Sequence, residues 1–559
     1  MTIEASTLVS FAKKTAVEFW HDTRSRPWAT ITNHGHLENW PIDGNVFQRR
    51  LGALFYEKKR SAPSAKAIQD AISVLAGEAV FGGAEYAVFT RVAGQDGYIY
   101  LDLANADWQA VEIGPSGWRV ISKPPVKFRR SPGMLPLPHP VTGGSINGLR
   151  PMLNLNDDQA WVLVRSWLVA AVRDTGPYPV LVLHGEQGSA KSTTARVLRS
   201  LVDPNTASLR SQPKDTRDLM IAAANGWILN FDNLSYLPQW LSDAMCRLAT
   251  GGGFATRQLY TDDDEVLFDA QRPIVLNGIE ELATRGDLLD RSIVMYLPAI
   301  SHNQRCSEAS YWSRFQASRP RILGCLLDAA SCALANVTGV QLPALPRMAD
   351  FAEWACAAAP KLGFTQQQFI DAYAGNKDEG LSITLEASPI FEPLQSLIRV
   401  KGGTIEATTT ELLNDLDRYI PIGARRPQGW PGNGRTLSST LRRLAPGLRA
   451  IGIAVSFRRE SSGKRLVSIK QVVQTSVGCV GSVAASPEDV DAGPGPAMQS
   501  VTADEVKAPT VSVTASLGDA TDAADAKSAV HATLPWDEFL EVDEDERWEE
   551  DDLDESHID

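Results

Sequence analysis

The chain has 559 residues, of which 43% are hydrophobic and 22% charged, a composition typical of a globular protein with several domains. The net charge of -13 is uneven, because residues 537–559 contain 14 acids and one base, while the remainder is neutral. No signal peptide, no apolar run of bilayer length and no CxxC cysteine pair occurs, so we expect a cytoplasmic protein without a membrane partner.

The first 140 residues predict an α+β domain of unknown role. A helix is expected over residues 45–59, and a hairpin over residues 87–103 that turns at Asp96 and Gly97. Residues 131–148 are rich in Pro and Gly, which predicts a linker. The longest apolar run, residues 161–172, is too short for a membrane span and predicts a core helix.

Residues 150–300 predict a parallel sheet, since short apolar strands alternate with helices. A Val-Leu-Val-Leu strand (residues 180–183) is followed by a glycine loop and then by apolar residues at helical spacing. A chance glycine turn is the alternative, but this order is typical of a phosphate-binding P-loop. Residues assigned to ATP are Gly185, Glu186, Gln187, Gly188, Ser189, Ala190, Lys191, Ser192 and Thr193.

Within this loop, Lys191 is expected to reach the β- and γ-phosphates, and the Ser192 hydroxyl to bind Mg²⁺. Ala190 occupies the position where the usual pattern has glycine.

Two further apolar strands end in polar residues. Asp232 would hold Mg²⁺ through a water, or would merely cap the strand end. Asn233 occupies the position of the usual catalytic glutamate, and an amide can orient water without accepting its proton. Asn277 ends the next strand and is expected to hold the attacking water or the γ-phosphate.

Two arginines follow the third strand, at positions 285 and 291. Arg291 is expected to reach the γ-phosphate of a neighbouring subunit as an arginine finger. The alternative is a local ion pair with Asp287 or Asp290.

Together these residues resemble the superfamily 3 helicases within the AAA+ ATPases, especially the primase-helicase-type ATPases of phages and mobile elements. Residues 250–260, with the acids that follow, look like the B-prime motif of that group, and residues 273–277 look like its motif C. The resemblance covers residues 155–335. It implies a hexameric ring, an arginine finger acting in trans and a pore hairpin in which Arg257 touches the nucleic-acid backbone. Asp262, Asp263 and Asp264 make this hairpin less basic than a strand-gripping loop.

Residues 301–380 predict a helical connector, and residues 384–472 a basic module. Residues 418–470 contain twelve bases and one acid. A helix over residues 408–420, a second helix over residues 437–444 capped by Thr436, and a hairpin over residues 453–470 resemble a winged helix. Its expected nucleic-acid contacts are Arg435, Arg442, Arg443, Arg458, Arg459, Lys464 and Arg465. A winged helix that binds protein remains the alternative.

Residues 473–559 predict a disordered linker and an acidic tail, which would compete with DNA for the basic module or bind a basic partner protein. The predicted fold is therefore α/β, with a P-loop (AAA+-like) parallel sheet core, an α+β N-terminal domain and a winged-helix-like module. The predicted function is that of a Mg²⁺-ATP-dependent DNA helicase or translocase acting as a homo-oligomeric ring. A non-translocating ATP switch and an ATP-binding scaffold with vestigial hydrolysis are the alternatives.

Overall fold

The computed structural model describes residues 3–257, 265–268, 270–278, 286–301, 303, 305–386, 388–420, 426–427, 429–459 and 465–472. Three predicted features therefore lie wholly or partly outside the described residues. They are the tip of the hairpin with Asp262, Asp263 and Asp264, the positions of Arg285 and Lys464, and the linker and acidic tail from residue 473.

The N-terminal part packs three helices against one face of a small mixed sheet. The helices are α1 (Ile3–Thr15), α2 (Asn45–Lys59) and α3 (Ala65–Gly82). The strands are β1 (Ala16–Asp22), β2 (Pro27–Asn33), β3 (His36–Pro41) and β4 (Glu85–Tyr86), in the order β3-β2-β1-β4. Buried Leu8, Leu51 and Leu75 of the helices meet Ile31 of the sheet in one cluster. The predicted helix over residues 45–59 is confirmed.

A second, antiparallel sheet follows in the chain. The strands of this region are β5 (Val88–Phe89), β6 (Val92–Gln95), β7 (Tyr98–Asp102), β8 (Ala110–Gly114), β9 (Gly117–Ile121) and β10 (Lys127–Phe128). Strands β6 to β9 form the antiparallel sheet, and β5 and β10 form a separate short parallel pair. Asp96 and Gly97 have φ of 53° and 80°, so β6 and β7 form the predicted hairpin through a turn with two left-handed residues.

The hydrophobic core does not divide near residue 140, where a domain boundary is predicted. Ile99, Leu101 and Val111 of the second sheet belong to the same buried cluster as Leu181 of the central sheet. Leu137, Ile146 and Leu149 are buried in this cluster as well, so the predicted linker over residues 131–148 packs against the core instead of acting as a spacer. Proline and glycine in a sequence report local turns, and these occur in packed segments as well as in linkers.

The central sheet is wholly parallel and has the order β12-β15-β11-β16. Its strands and the hairpin beside it are β11 (Val180–His184), β12 (Leu229–Leu234), β13 (Phe254–Arg257), β14 (Glu265–Phe268), β15 (Ile274–Gly278) and β16 (Ser292–Tyr296). Its helices are α4 (Asp158–Val172), α5 (Lys191–Val202), α6 (Thr216–Asn225), α7 (Gln239–Thr250) and α8 (Gly286–Leu289). In a parallel sheet the carboxyl ends of all strands lie together, so the loop after β11 and the polar residues near the carboxyl ends of β12 and β15 meet there.

Three long helices complete the core: α9 (Glu308–Asn336), α10 (Ala349–Leu362) and α11 (Gln366–Glu386). The predicted core helix over residues 161–172 is confirmed as part of α4, which is buried almost throughout. Among the described helices, the one beginning at Glu308 is long and apolar enough to cross a membrane by length and composition alone. Within its most apolar window 56% is buried inside the protein, as in a core helix.

The last described part contains helices α12 (Phe391–Val400), α13 (Thr409–Asp417) and α14 (Gly434–Ala450) and strands β17 (Thr404–Thr408), β18 (Ile453–Arg459) and β19 (Arg465–Gln471). The sheet order is β17-β19-β18, and the predicted hairpin is present as β18 and β19. Three predicted boundaries are wrong. The first helix ends at Asp417 instead of residue 420. The second helix begins at Gly434 and ends at Ala450 instead of residue 444, and Asn433 instead of Thr436 is its cap.

Candidate functional site

The loop between β11 and α5 has a backbone that needs small residues. Gly185 and Gly188 have φ of 148° and 81°. A Cβ on Gly185 would lie 2.3 Å from the carbonyl oxygen of Leu297, so only glycine fits there. Ala190 has a φ of 63°, the left-handed conformation that a glycine would adopt without penalty, at a cost of about 1–2 kcal/mol.

Lys191 lies across this loop as the first residue of α5. Its ammonium donates to the carbonyl oxygens of Gly185 at 2.7 Å and Glu186 at 2.8 Å. Burial lowers the pKa of Lys191, and the charge of Asp232 partly opposes that shift. A cation, a glycine loop and the N-terminus of a 12-residue helix make up a site suited to a polyphosphate.

The hydroxyl of Ser192 donates to Oδ1 of Asp232 at 2.7 Å. The pairing of β12 with β15 is irregular between Phe231 and Leu234, the stretch that contains Asp232. A hydroxyl and a carboxylate are oxygen ligands that suit Mg²⁺, which usually completes its coordination with water and substrate phosphates. No group of three or more His, Cys, Asp or Glu placed to bind a metal occurs in the described part of the chain.

Asn233 and Asn277 also meet at this edge. The backbone N–H of Asn233 donates to Oδ1 of Asn277 at 2.8 Å. Asn277 is 2% exposed, and its Nδ2 has no hydrogen-bond partner in the structure as described. Asn233 has a φ of 53° and an exposed side chain, and its backbone N–H fixes the position of the Asn277 amide.

Arg291 lies at the end of the sheet where the parallel strands begin, opposite the end that holds the loop. Because Val180 pairs with Ser292, the residue before β16 lies beside the start of β11, about 13 Å or more from the loop at 3.3 Å per residue. Its Nη1 donates to the backbone carbonyl of Asp287 at 2.7 Å. Arg291 therefore does not meet the loop of its own chain, and a role at the phosphates requires a second subunit.

Two residues beside the loop were not predicted. Nδ2 of Asn154 donates to the carbonyl oxygens of Ser189 at 3.1 Å and Pro298 at 2.5 Å, which ties the loop to the segment after β16. Nη2 of Arg305 lies 3.5 Å from the position of a Cβ on Gly188, so a second cation flanks the loop. No local pattern could reveal either contact, because they join distant parts of the sequence.

A hairpin is present at the predicted place as β13 and β14, in which Arg257 pairs with Glu265 in the backbone register, and its role in a pore stays a prediction. The residues between the two strands lie outside the described ranges. The contact of Arg257 with nucleic acid stays a prediction.

The basic module presents its arginines on α14 and on the hairpin. Six of the exposed arginines, which we call the basic face, are Arg435, Arg442, Arg443, Arg458, Arg459 and Arg465. The guanidinium of Arg442 stacks 3.9 Å above the ring of Phe457, which joins α14 to β18. Arg458 pairs with Glu406, whereas no ion pair is found for the other five among the residues that the structure describes. A face with so few acidic partners suits a polyanion.

Two family models match the chain. Residues 146–379 match the actinomycete integrative conjugative element (AICE) replication protein, and residues 390–484 match the AICE RepA C-terminal domain. No curated protein matches. Both matched segments are thus similar to a replication protein of a mobile element, which confirms the coarser part of the expectation.

Among solved structures, the A form apo structure of the NrS-1 C terminal region is 13% identical with a TM-score of 0.37, covering 83% of this chain and 98% of that one. A second apo structure of that region is 12% identical with a TM-score of 0.34, covering 84% of this chain and 100% of that one.

Proposed function

We propose that this mobile-element replication protein is a Mg²⁺-ATP-dependent DNA helicase or translocase that works in the cytoplasm as a homo-oligomeric ring. The observation that carries the proposal is the loop at residues 185–192. Its left-handed backbone, the Lys191 ammonium across it and the 2.7 Å contact of Ser192 with Asp232 converge at one edge of a parallel sheet. The resemblance to superfamily 3 helicases at the carboxyl ends of β11, β12 and β15 supports the same function.

Each residue at this site would have a separate role. Loop N–H groups and Lys191 would bind and orient the phosphates. Ser192 and Asp232 would hold Mg²⁺, which when bound neutralises phosphate charge. The buried amide of Asn277, positioned by the backbone of Asn233, would orient the attacking water.

Arg291 would act on the nucleotide of the adjacent subunit. Its place at the edge opposite the loop supports a shared site, because only another copy of the chain can bring it near the phosphates. A ring in which each interface contains one loop and one Arg291 meets this requirement.

The DNA side of the proposal rests on the basic face and the hairpin that contains Arg257. Five exposed arginines with no acidic partner among the described residues favour phosphate contacts over a neutral protein interface. The winged-helix-like order of helices and strands supports binding of duplex DNA by α14.

The test is ATPase rate and strand displacement measured together, with and without single-stranded DNA. The parent protein is expected to hydrolyse ATP faster with DNA and to displace a strand. Lys191→Ala should lose hydrolysis and most ATP affinity, because the charge that faces the phosphates is removed.

Other outcomes identify the alternatives. Turnover that DNA does not stimulate would indicate a non-translocating switch, and ATP binding without turnover would indicate a scaffold. A Lys191→Ala protein with the parent ATPase rate would refute the assignment of the loop.

A further inference from the structure

The turn that contains Arg291 is held from one side by α11. Lys377 of this helix donates through Nζ to three backbone carbonyls, those of Leu289 at 3.0 Å, Asp290 at 2.9 Å and Ser292 at 2.7 Å. These residues flank Arg291 on both sides. One ammonium therefore uses all three of its protons on the turn around a single arginine.

Asn376, the preceding residue of α11, extends this contact into β16. Its Oδ1 accepts from the backbone N–H of Val294 at 3.0 Å, and its Nδ2 donates to the carbonyl oxygen of the same residue. Gly380 lies beside this contact, because a Cβ there would lie 3.4 Å from Cδ2 of Leu289, an ordinary van der Waals distance. Helix α11 is thus seated on the strand and the turn on either side of Arg291.

Burial lowers the pKa of Lys377 to about 8, the charge of Asp290 partly opposes this shift, and Arg347 adds to it. The ring of Tyr373 on the same helix lies 5.1 Å from Nζ. A half-buried lysine that satisfies three carbonyls orders the turn more strongly than an exposed surface lysine would.

We propose that Lys377 is a positioning residue for Arg291, holding the turn so that this arginine reaches the nucleotide of the adjacent subunit. This inference rests on the proposed shared site. Lys377 touches neither the loop nor Ser192 and Asp232, so it acts on the arginine of an interface and leaves ATP binding in its own subunit unchanged. An error of about 1 Å in the placement of such a group can reduce the rate about 10²-fold.

The test compares full-length Lys377→Met with Lys377→Arg, with Arg291→Ala and with Lys361→Met, which removes an exposed lysine on α10. Lys377→Met alone should lose about 10²-fold in ATPase rate and keep its ATP affinity, whereas Lys361→Met should match the parent. Lys377→Arg keeps the charge and should retain part of the rate. Melting temperatures show whether each variant is folded.

Complementation separates positioning from general damage. In a 1:1 mixture with Lys191→Ala, about one quarter of interfaces pair an intact loop with an intact arginine, so Lys377→Met should recover to about a quarter of the parent rate. Arg291→Ala should recover in the same way. Recovery of Arg291→Ala without recovery of Lys377→Met, or a parent rate for Lys377→Met alone, would overturn the role of Lys377. If neither variant recovers, the shared site itself is refuted and the role of Lys377 with it.

Discussion

Asn233 is the residue at which this site departs most from a fast ATPase. Its amide cannot accept a proton, and losing a general base typically costs about 10² to 10⁴ in rate. Its φ of 53° also explains why asparagine is tolerated there, since Asn adopts the left-handed conformation more readily than other non-glycine residues. The protein is therefore expected to bind ATP well and to hydrolyse it slowly.

Asn233→Glu should raise the single-turnover rate with little change in ATP affinity, because a carboxylate can accept the proton of the attacking water. This gain in rate must exceed the effect of a backbone strain of about 1 kcal/mol, which glutamate adds in the left-handed conformation. Asn233→Asp is the matched control, because a short side chain suits the left-handed conformation while reaching less far. Single-turnover hydrolysis and nucleotide binding are the measurements. If the parent is already fast and Asn233→Glu slows it, the base lies elsewhere, and Glu186 and Asp232 are the positions to test.

The sequence predicts the site residues whose signal is local. Lys191 and Ser192 follow a buried strand and a glycine loop, and Asp232 ends an apolar run, so their meeting follows from parallel-strand geometry. Asn154 and Lys377 could not be predicted, because they bond to backbone atoms 35 and 85–88 residues away. A hydrogen bond to a backbone carbonyl does not depend on the side chain of the accepting residue, so no sequence pattern predicts it.

At the scale of elements, α14 and the β18–β19 hairpin form one unit because Leu441 of α14 and Val467 of β19 belong to the same buried cluster. The stacking of Arg442 on Phe457 adds a contact at the surface. The sequence indicated both elements through apolar periodicity, but it predicted Thr436 as the cap of a helix that begins at residue 437. The structure begins the helix at Gly434 because the Asn433 side chain accepts from Thr436 N–H at 3.0 Å. Asn and Thr both cap helices well, so a sequence with both close together leaves the choice to local geometry.

The basic face predicts a steep salt dependence of DNA binding by the full-length protein. Each neutralised phosphate contributes about 0.9 to the slope of log affinity against log salt. Arg442→Ala with Arg443→Ala should therefore lower the slope by up to about 2 and weaken binding most at low salt. Lys58→Ala with Lys59→Ala makes the same charge change at the exposed end of α2 and should leave the slope unchanged. An unchanged slope in the Arg442 and Arg443 variant would favour the alternative, a module that binds protein.

At the scale of the whole molecule, the second sheet is joined to the central sheet by a buried charge pair as well as by the shared core. Nε of Arg91 donates to Oδ1 of Asp203 at 3.2 Å, and both side chains are at most 1% exposed. Asp203 ends α5 and also accepts from the backbone N–H groups of Trp227 and Ile228. Arg91, which the sequence assigned to an N-terminal domain, therefore stabilises the end of α5, the helix that begins at the loop. The sequence could not predict this contact, because the two residues are 112 positions apart.

Charge is also distributed over the whole chain, with a basic module and 14 acids in residues 537–559. An acidic segment of this charge can occupy the basic face in place of DNA. Deleting residues 537–559 should tighten DNA binding, and the gain should be largest at low salt, where the Debye length is about 30 Å at 0.01 M compared with about 10 Å at 0.1 M.

The matched control for that deletion replaces the tail acids with Asn and Gln, which keeps the length and removes the charge. If the tail competes by charge, this variant should bind DNA as tightly as the truncated protein, as measured by titration of labelled duplex across a salt series. If tight binding requires deletion and neutral residues do not produce it, the tail obstructs by bulk. Equal affinity of all three proteins at low salt would refute self-competition, and a basic partner protein would then be the expected ligand of the tail.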